Sequence, residues 1–139
     1  MAPAVPVPDL CIVVPAFNES ENLPELHREL SRVLDEKKIS FELLIVDDGS
    51  RDRTPDVVRQ IAASDQRVVG LRLSRNFGHQ EAISLGLSRA RGRAVAVMDA
   101  DLQDRPSDLI LLYDTWRGGA DVAYAVRRTR DESLFRRFS

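Results

Sequence analysis

Apolar residues in this chain come as short unbroken runs that alternate with stripes at helical spacing. Leu10-Cys11-Ile12-Val13-Val14 is a continuous run halted by Pro15, the pattern of a strand buried on both faces. Asn18 precedes Glu21 at the spacing of a capping box, and the helix expected there sets Leu23, Leu26, Leu30, Val33 and Leu34 on one face. Phe41 to Val46 reads as a second strand that stops at Asp47-Asp48-Gly49-Ser50. Thr54-Pro55 predicts a helix start, with Thr as cap and Pro in the first turn. Val57, Val58, Ile61 and Ala62 form its inner face.

The alternation continues with a strand over Val68 to Leu73, a helix from about His79 to Arg91 ended by Gly92, and a strand over Arg93 to Met98. Pro106 opens a fourth helix bearing Leu109, Ile110, Leu112, Tyr113 and Trp116, which Gly118-Gly119 stops. Asp121 to Val126 is the expected fifth strand. Repeated strand–helix units with short loops predict an α/β fold: a mostly parallel sheet with helices on both faces. Ligands in such sheets bind at the carboxyl ends of the strands, beside a switch in strand order.

Composition narrows the class without choosing a ligand. The 139 residues suffice for one domain, and 43% hydrophobic with 30% charged residues is ordinary for a soluble globular chain. A net charge of −2 gives no pull toward nucleic acid. No stretch has the length of a membrane span and no signal peptide opens the chain. Residues Met1 to Pro8, with three prolines, read as a flexible lead-in, and residues 9–139 as the ordered part. The single cysteine, Cys11, excludes an internal disulfide and reads as a small core residue. Charge is uneven at the end, where Arg127, Arg128, Arg130, Arg136 and Arg137 face only Asp131 and Glu132 in the sequence.

Each strand end carries polar chemistry. Asp99 and Asp101, followed by Gln103, sit where the run Ala94 to Met98 stops. Two carboxylates and an amide at a buried strand's end can hold a hard divalent cation shared with substrate phosphates, or they can simply cap the next helix. Pro15-Ala16-Phe17-Asn18-Glu19 offers a flat apolar ring for a base and a carboxylate for a ribose hydroxyl, or a plain capping loop. Asp47 and Asp48 can accept from nucleobase N–H groups or make an Asx-type turn. Ser74 to His79 supplies cationic and amide groups, with His79 more in keeping with a surface position. Acidic pairs at two of four successive strand ends favour a ligand site over four unrelated turns.

Other phosphate-handling folds do not fit. The Gly-x-Gly-x-x-Gly of a dinucleotide-binding unit is replaced by Pro15 to Glu19 after the first strand. The only lysines, Lys37 and Lys38, lie at a helix end rather than in a P-loop. A receiver domain needs its acidic pair after the first strand and a lysine after the fifth, and neither is present.

Val14-Pro15-Ala16-Phe17-Asn18-Glu19, Val46-Asp47-Asp48-Gly49-Ser50, Arg75-Asn76-Phe77-Gly78 and Met98-Asp99-Ala100-Asp101-Leu102-Gln103-Asp104 occur in the order and spacing of the family 2 glycosyltransferases. The chain resembles most the branch that transfers sugars to polyprenyl phosphates, such as dolichyl or undecaprenyl phosphate. That resemblance implies a GT-A fold, apparently truncated, of which residues 9–139 are the N-terminal donor-binding part. It implies a UDP- or GDP-sugar as donor, an inverting transfer, and Mg²⁺ or Mn²⁺ as cofactor. By the same resemblance Pro15, Phe17, Glu19, Asp47, Asp48 and Asp99 hold the nucleotide, and Asp99, Asp101 and Gln103 hold the metal. Asp101 and Arg127 are the implied catalytic residues, and Arg136 or Arg137 the contact to the acceptor phosphate.

The implied partners are a nucleotide-diphosphate sugar, a polyprenyl phosphate lipid and the cytoplasmic face of the cell membrane, with no nucleic acid. Two alternatives stay open: a family 2 enzyme with a glycan acceptor, and a nucleotide-sugar-binding module without turnover. Relatives continue beyond the equivalent of Ser139, so the expectation is a fragment that binds donor and transfers poorly.

Overall fold

The computed structural model describes residues 6–119, 122–129 and 132–138, the last two stretches as backbone. Two compact units divide after Asp104. The first holds β1 (Leu10–Ala16), α1 (Leu23–Glu36), β2 (Phe41–Asp47), α2 (Thr54–Ser64), β3 (Val68–Arg72), α3 (His79–Arg89) and β4 (Ala94–Val97). Its four strands are all parallel, in the order β3-β2-β1-β4. The chain steps outward from β1 through β2 to β3, then returns to the other side of β1 for β4. The change of direction falls between β1 and β4, where a doubly wound sheet opens its binding crevice.

Continuous apolar runs put the core on both faces of the sheet. Cys11, Val13, Leu44 and Val46 form one face and are covered by Ala82 of α3. The approach is close: a Cβ on Gly86 would lie 2.3 Å from Val13 Cγ1, so only glycine lets α3 settle there. On the opposite face Val58 of α2 meets Gly70, the strand partner of Ile45, and α1 packs beside α2. Leu23, Leu26, Leu30 and Leu34 of α1 are fully buried at i, i+3, i+4 spacing. Leu30 and Leu34 each remove a complete side chain from water, about 1.5–3 kcal/mol apiece.

Several local expectations change. β1 does not stop at Pro15 but runs through it to Ala16, with Pro15 opposite Val46 of β2. The Val13 carbonyl accepts from the Met98 amide, on the β4 side. Pro15, two residues on, turns its missing N–H to that same side, where the β4 ladder has ended, so no hydrogen bond is lost. The capping box does not form. Asn18 is left-handed (φ 55°) and its Oδ1 accepts from the Arg51 amide, while α1 begins later, after Asn22. Thr54 is inside α2 rather than its cap; Asp52 Oδ1 accepts from the Thr54 amide at 2.8 Å. α3 ends at Arg89, before Gly92, because Ala90 is already extended.

The second unit holds α4 (Pro106–Arg117), β5 (Val122–Thr129) and β6 (Glu132–Phe138). Tyr113 and Trp116 of α4 stack at 5.7 Å between ring centroids. The fifth strand does not take the parallel arrangement expected of it. β5 pairs antiparallel with β6, a strand not anticipated, in a two-stranded sheet. β5 also continues past Val126, so Arg127 lies within it, opposite Ser133, rather than beyond its end. Ladder hydrogen bonds to a partner, not apolarity alone, set a strand's length, and the partner here was hidden in an arginine-rich segment.

Candidate functional site

Side chains from β1, β2, β4 and the loop after β3 meet at the carboxyl edge of the first unit. There they line a cleft of about 320 Å³, bounded by Pro15, Ala16, Phe17, Glu19, Asp48, Asn76, Gly78, His79, Asp99, Ala100 and Asp101. This is the crevice that the β1/β4 switch predicts. Six of the expected residues share it: Pro15, Phe17, Glu19, Asp48, Asp99 and Asp101. Asp47 and Gln103 are not among its walls. Arg127, Arg136 and Arg137 belong to the second unit, where only the strand register is described: opposite Ser133, Tyr124 and Ala123 respectively.

Two of the four sequence motifs lock together. Asp48 is buried (3% exposed), and its two oxygens accept from the amides of Phe77 at 2.8 Å and Gly78 at 3.1 Å. Its own amide donates to the Ala16 carbonyl, continuing the β1–β2 ladder. Gly49, at φ +68°, lets the backbone of Arg75 and Asn76 lie directly against it; a Cβ there would fall 2.2 Å from the Arg75 carbonyl carbon. The Asp48-Gly49 turn is thus the mould for the Arg75-Asn76-Phe77-Gly78 loop. That function was not legible in either motif alone.

Asp47 is as deeply buried (1% exposed), and one oxygen accepts from the Ser50 amide at 3.0 Å. The other, Oδ2, has no hydrogen bond, and the Arg72 Nε is 3.8 Å away. At 3.8 Å the mostly exposed Arg72 side chain gives Oδ2 a charge contact but no hydrogen bond. A buried carboxylate oxygen without a donor costs free energy.

The β1 loop is tied to α2. The Asn18 amide donates to Ser50 Oγ and the Glu19 amide to Thr54 Oγ1, each at 2.9 Å. The Glu19 carboxylate accepts from Asn22 Nδ2 at 2.8 Å. These contacts hold Phe17 at the cleft wall with 41% of its surface exposed. A large aromatic left half in water on a rigid loop is a ready platform for a flat apolar group.

Asp99 and Asp101 follow the end of β4. Asp101 Oδ1 accepts from the Gln103 amide at 3.1 Å, an Asx-type turn in place of the helix cap anticipated as the plainer alternative. That turn engages only one of its oxygens. Leu102 between them is left-handed (φ 64°), a conformation that costs a residue with a Cβ roughly 1–2 kcal/mol. Strain of this kind collects at functional sites. The Asp99 carboxylate is half exposed, with His79 Nε2 at 3.5 Å from Oδ1.

Among the described residues, no group of three or more His, Cys, Asp or Glu side chains forms a ready cation cage. The donor set is two hard carboxylates at an open cleft. That suits Mg²⁺ or Mn²⁺ completed by substrate phosphates and water, which is how such ions are usually held in phosphate-handling sites. The residues therefore fit the implied cofactor, with Gln103 contributing a backbone contact to Asp101 rather than a wall of the cleft.

Away from the cleft, Asp65 links α1, α2 and β3. Both of its oxygens receive Arg67, and His27 Nε2 lies 2.9 Å from Oδ2. Hydrogen bonds from Arg67, outweighing burial and joined by His27, hold the Asp65 carboxyl well below the usual carboxylate range. Arg67 also reaches Asp35 and stacks 4.2 Å over the Phe41 ring.

Comparison with known proteins agrees with this geometry. The glycosyl transferase family 2 profile matches residues 11–139. The uncharacterized glycosyltransferase YkcC of Bacillus subtilis is 44% identical over 124 residues, which is 89% of this chain and 38% of that protein. An undecaprenyl-phosphate 4-deoxy-4-formamido-L-arabinose transferase of Pseudomonas fluorescens is 39% identical over 134 residues, 96% of this chain and 39% of that one. Among solved structures, the mannosyltransferase PcManGT of Pyrobaculum calidifontis, in complex with GDP-Man and Mn²⁺, superposes with a TM-score of 0.65 at 26% identity. It covers 90% of this chain and 37% of its own. The chain belongs to the family 2 glycosyltransferases and has their GT-A fold. It spans about two fifths of the length of the curated relatives it matches.

Proposed function

We propose that this chain forms the donor site of an inverting glycosyltransferase that moves a sugar from a UDP- or GDP-sugar to a polyprenyl phosphate. The observation that carries the proposal is the shared cleft. Phe17 and Glu19 just after β1, Asp48 just after β2 and the Asp99/Asp101 pair just after β4 meet at the switch in strand order. The base rests on Phe17 beside Pro15, and Glu19 accepts from the ribose. Asp48 keeps the wall behind it in place, and Asp47, buried outside the cleft walls, holds the turn that follows through the Ser50 amide. The GDP-Man and Mn²⁺ held by PcManGT, and the undecaprenyl-phosphate transferase named among the relatives, support donor and acceptor class respectively.

The chemistry follows from charge. The nucleoside diphosphate leaves as an anion, and Mg²⁺ or Mn²⁺ bound beside Asp99 and Asp101 supplies the positive charge that offsets it. Asp99 and Asp101 orient the diphosphate end of the donor, with Gln103 steadying Asp101. A polyprenyl phosphate is already ionised at neutral pH, so attack from the opposite side of the anomeric carbon needs no strong base. It needs cations to bring one anion to another, the part proposed for Arg127 and for Arg136 or Arg137. Among the described residues no helix is long and apolar enough to cross a membrane. Work at the cytoplasmic membrane face is part of the proposal through the lipid acceptor.

Calorimetric titration with UDP- and GDP-sugars, with and without Mn²⁺, tests the donor site. Metal-dependent binding that Asp101→Ala abolishes is expected; binding indifferent to both would refute the site. Radiolabel transfer from the preferred donor tests the acceptor, with undecaprenyl phosphate and a soluble glycan offered separately. Label confined to the glycan would refute the lipid assignment and leave the donor site standing.

A further inference from the structure

We infer that His79 is a positioning residue for Asp99, and so a determinant of how tightly the cleft takes a cation together with a nucleoside diphosphate. The inference rests on the donor-site proposal above. His79 is the first residue of α3, and the loop ahead of it is pinned by the two hydrogen bonds that Asp48 accepts from Phe77 and Gly78. Asp99 follows Met98, whose amide donates to Val13 and keeps the end of β4 in register with β1. Two anchored backbones therefore bring an imidazole and a carboxylate to the same wall of the cleft, with Nε2 3.5 Å from Oδ1.

Both side chains are about half exposed, His79 at 56% and Asp99 at 49%. In water a contact of this length is worth little. Covered by a bound diphosphate it shortens and strengthens, because catalytic-site hydrogen bonds tighten on ligand binding and in a drier medium. A donor held at Oδ1 restricts the Asp99 carboxylate and leaves its other oxygen for the cation. This matters in a site with only two carboxylates. Carboxylates that bind metals are themselves hydrogen-bonded, and removing such a partner typically costs about 10–100-fold in metal affinity.

The test is Mn²⁺-dependent binding of UDP and GDP, followed by calorimetry and by the electron paramagnetic resonance signal of free Mn²⁺. His79→Ala is expected to weaken the metal-dependent binding by about 10-fold and metal-free nucleotide binding, through the lost cleft wall alone, by clearly less. His79→Gln, which returns an N–H donor at similar reach, is expected to restore most of the loss. Equal metal-dependent binding in wild type and His79→Ala would overturn the inference and leave the donor site intact. Equal loss with and without metal, or no recovery with Gln, would also overturn it, since a donor to Asp99 explains neither. No metal-dependent binding in the wild type would instead bring down the donor-site proposal itself.

Discussion

Replacing Asp48 by Asn tests whether that carboxylate holds the cleft together. The side chain keeps its shape, but one of its two acceptors becomes an NH₂ group facing an amide N–H. One charge-assisted hydrogen bond, worth about 1.5–3 kcal/mol, is lost, and a buried N–H is left without a partner at about 1–3 kcal/mol. These costs overlap, and a loss of about 2–4 kcal/mol is expected at a residue only 3% exposed. For a chain of this size the thermal midpoint falls by roughly 10 °C. The local effect is sharper: the Phe77 and Gly78 amides, which donate to Asp48, lose hydrogen-exchange protection by roughly 30-fold or more. Exchange measured by NMR, alongside thermal unfolding, reads both. A midpoint within about 1 °C of wild type, with protection at those two amides unchanged, would refute the account of Asp48 as the mould of this loop.

Gly49→Ala must accept both a left-handed φ and a Cβ set against the Arg75 backbone, and should cost about 2–5 kcal/mol in urea unfolding. Gly78→Ala carries backbone strain of its own at φ +109° but meets nothing within 4 Å of its new Cβ, so it should cost less; the reverse order would contradict the docking of turn on loop. Phe17→Ala should leave the thermal midpoint nearly unchanged, since Phe17 is 41% exposed, yet weaken nucleotide binding several-fold by fluorescence titration. Asp65 has a depressed carboxyl in the folded chain, because Arg67 and His27 favour its charged form. Its stabilisation is therefore full above the unfolded value of about 4 and is lost as pH falls below it toward the folded value. Asp65→Asn should be less stable than wild type at pH 7 and should flatten the acid limb; a parallel pair of stability–pH curves would exclude this.

How much of this was legible in the sequence follows the range of the forces involved. Runs such as Leu10 to Val14 and Phe41 to Val46 announce buried strands, because a strand shut between two helical layers has no polar face. The stripe Leu23, Leu26, Leu30 and Leu34 announces its helix for the matching reason. Pro55 and Pro106 mark helix starts with bonds they do not need to make. Strand ends were therefore visible, and with them most of the cleft: Pro15, Phe17, Glu19, Asp48, Asp99 and Asp101 do meet. Capping was the weaker inference. Asn18 and Glu21 had the spacing of a box, but Asn18 is spent on the Arg51 amide 33 residues away, a partner no local window contains.

By itself, then, the sequence determined the alternation of elements, the parallel sheet and the acidic strand ends, since each depends on neighbours within a turn or two of chain. Tertiary structure decided what those acids do. It spent Asp48 on the loop beneath the cleft, left one oxygen of Asp47 buried without a donor, and set His79 beside Asp99. It also gave the arginine-rich segment a strand, β6, as partner to β5. The Asp48 and His79 contacts join groups 20 to 30 residues apart at a few ångströms, and residue order records such meetings only through the fold that produces them.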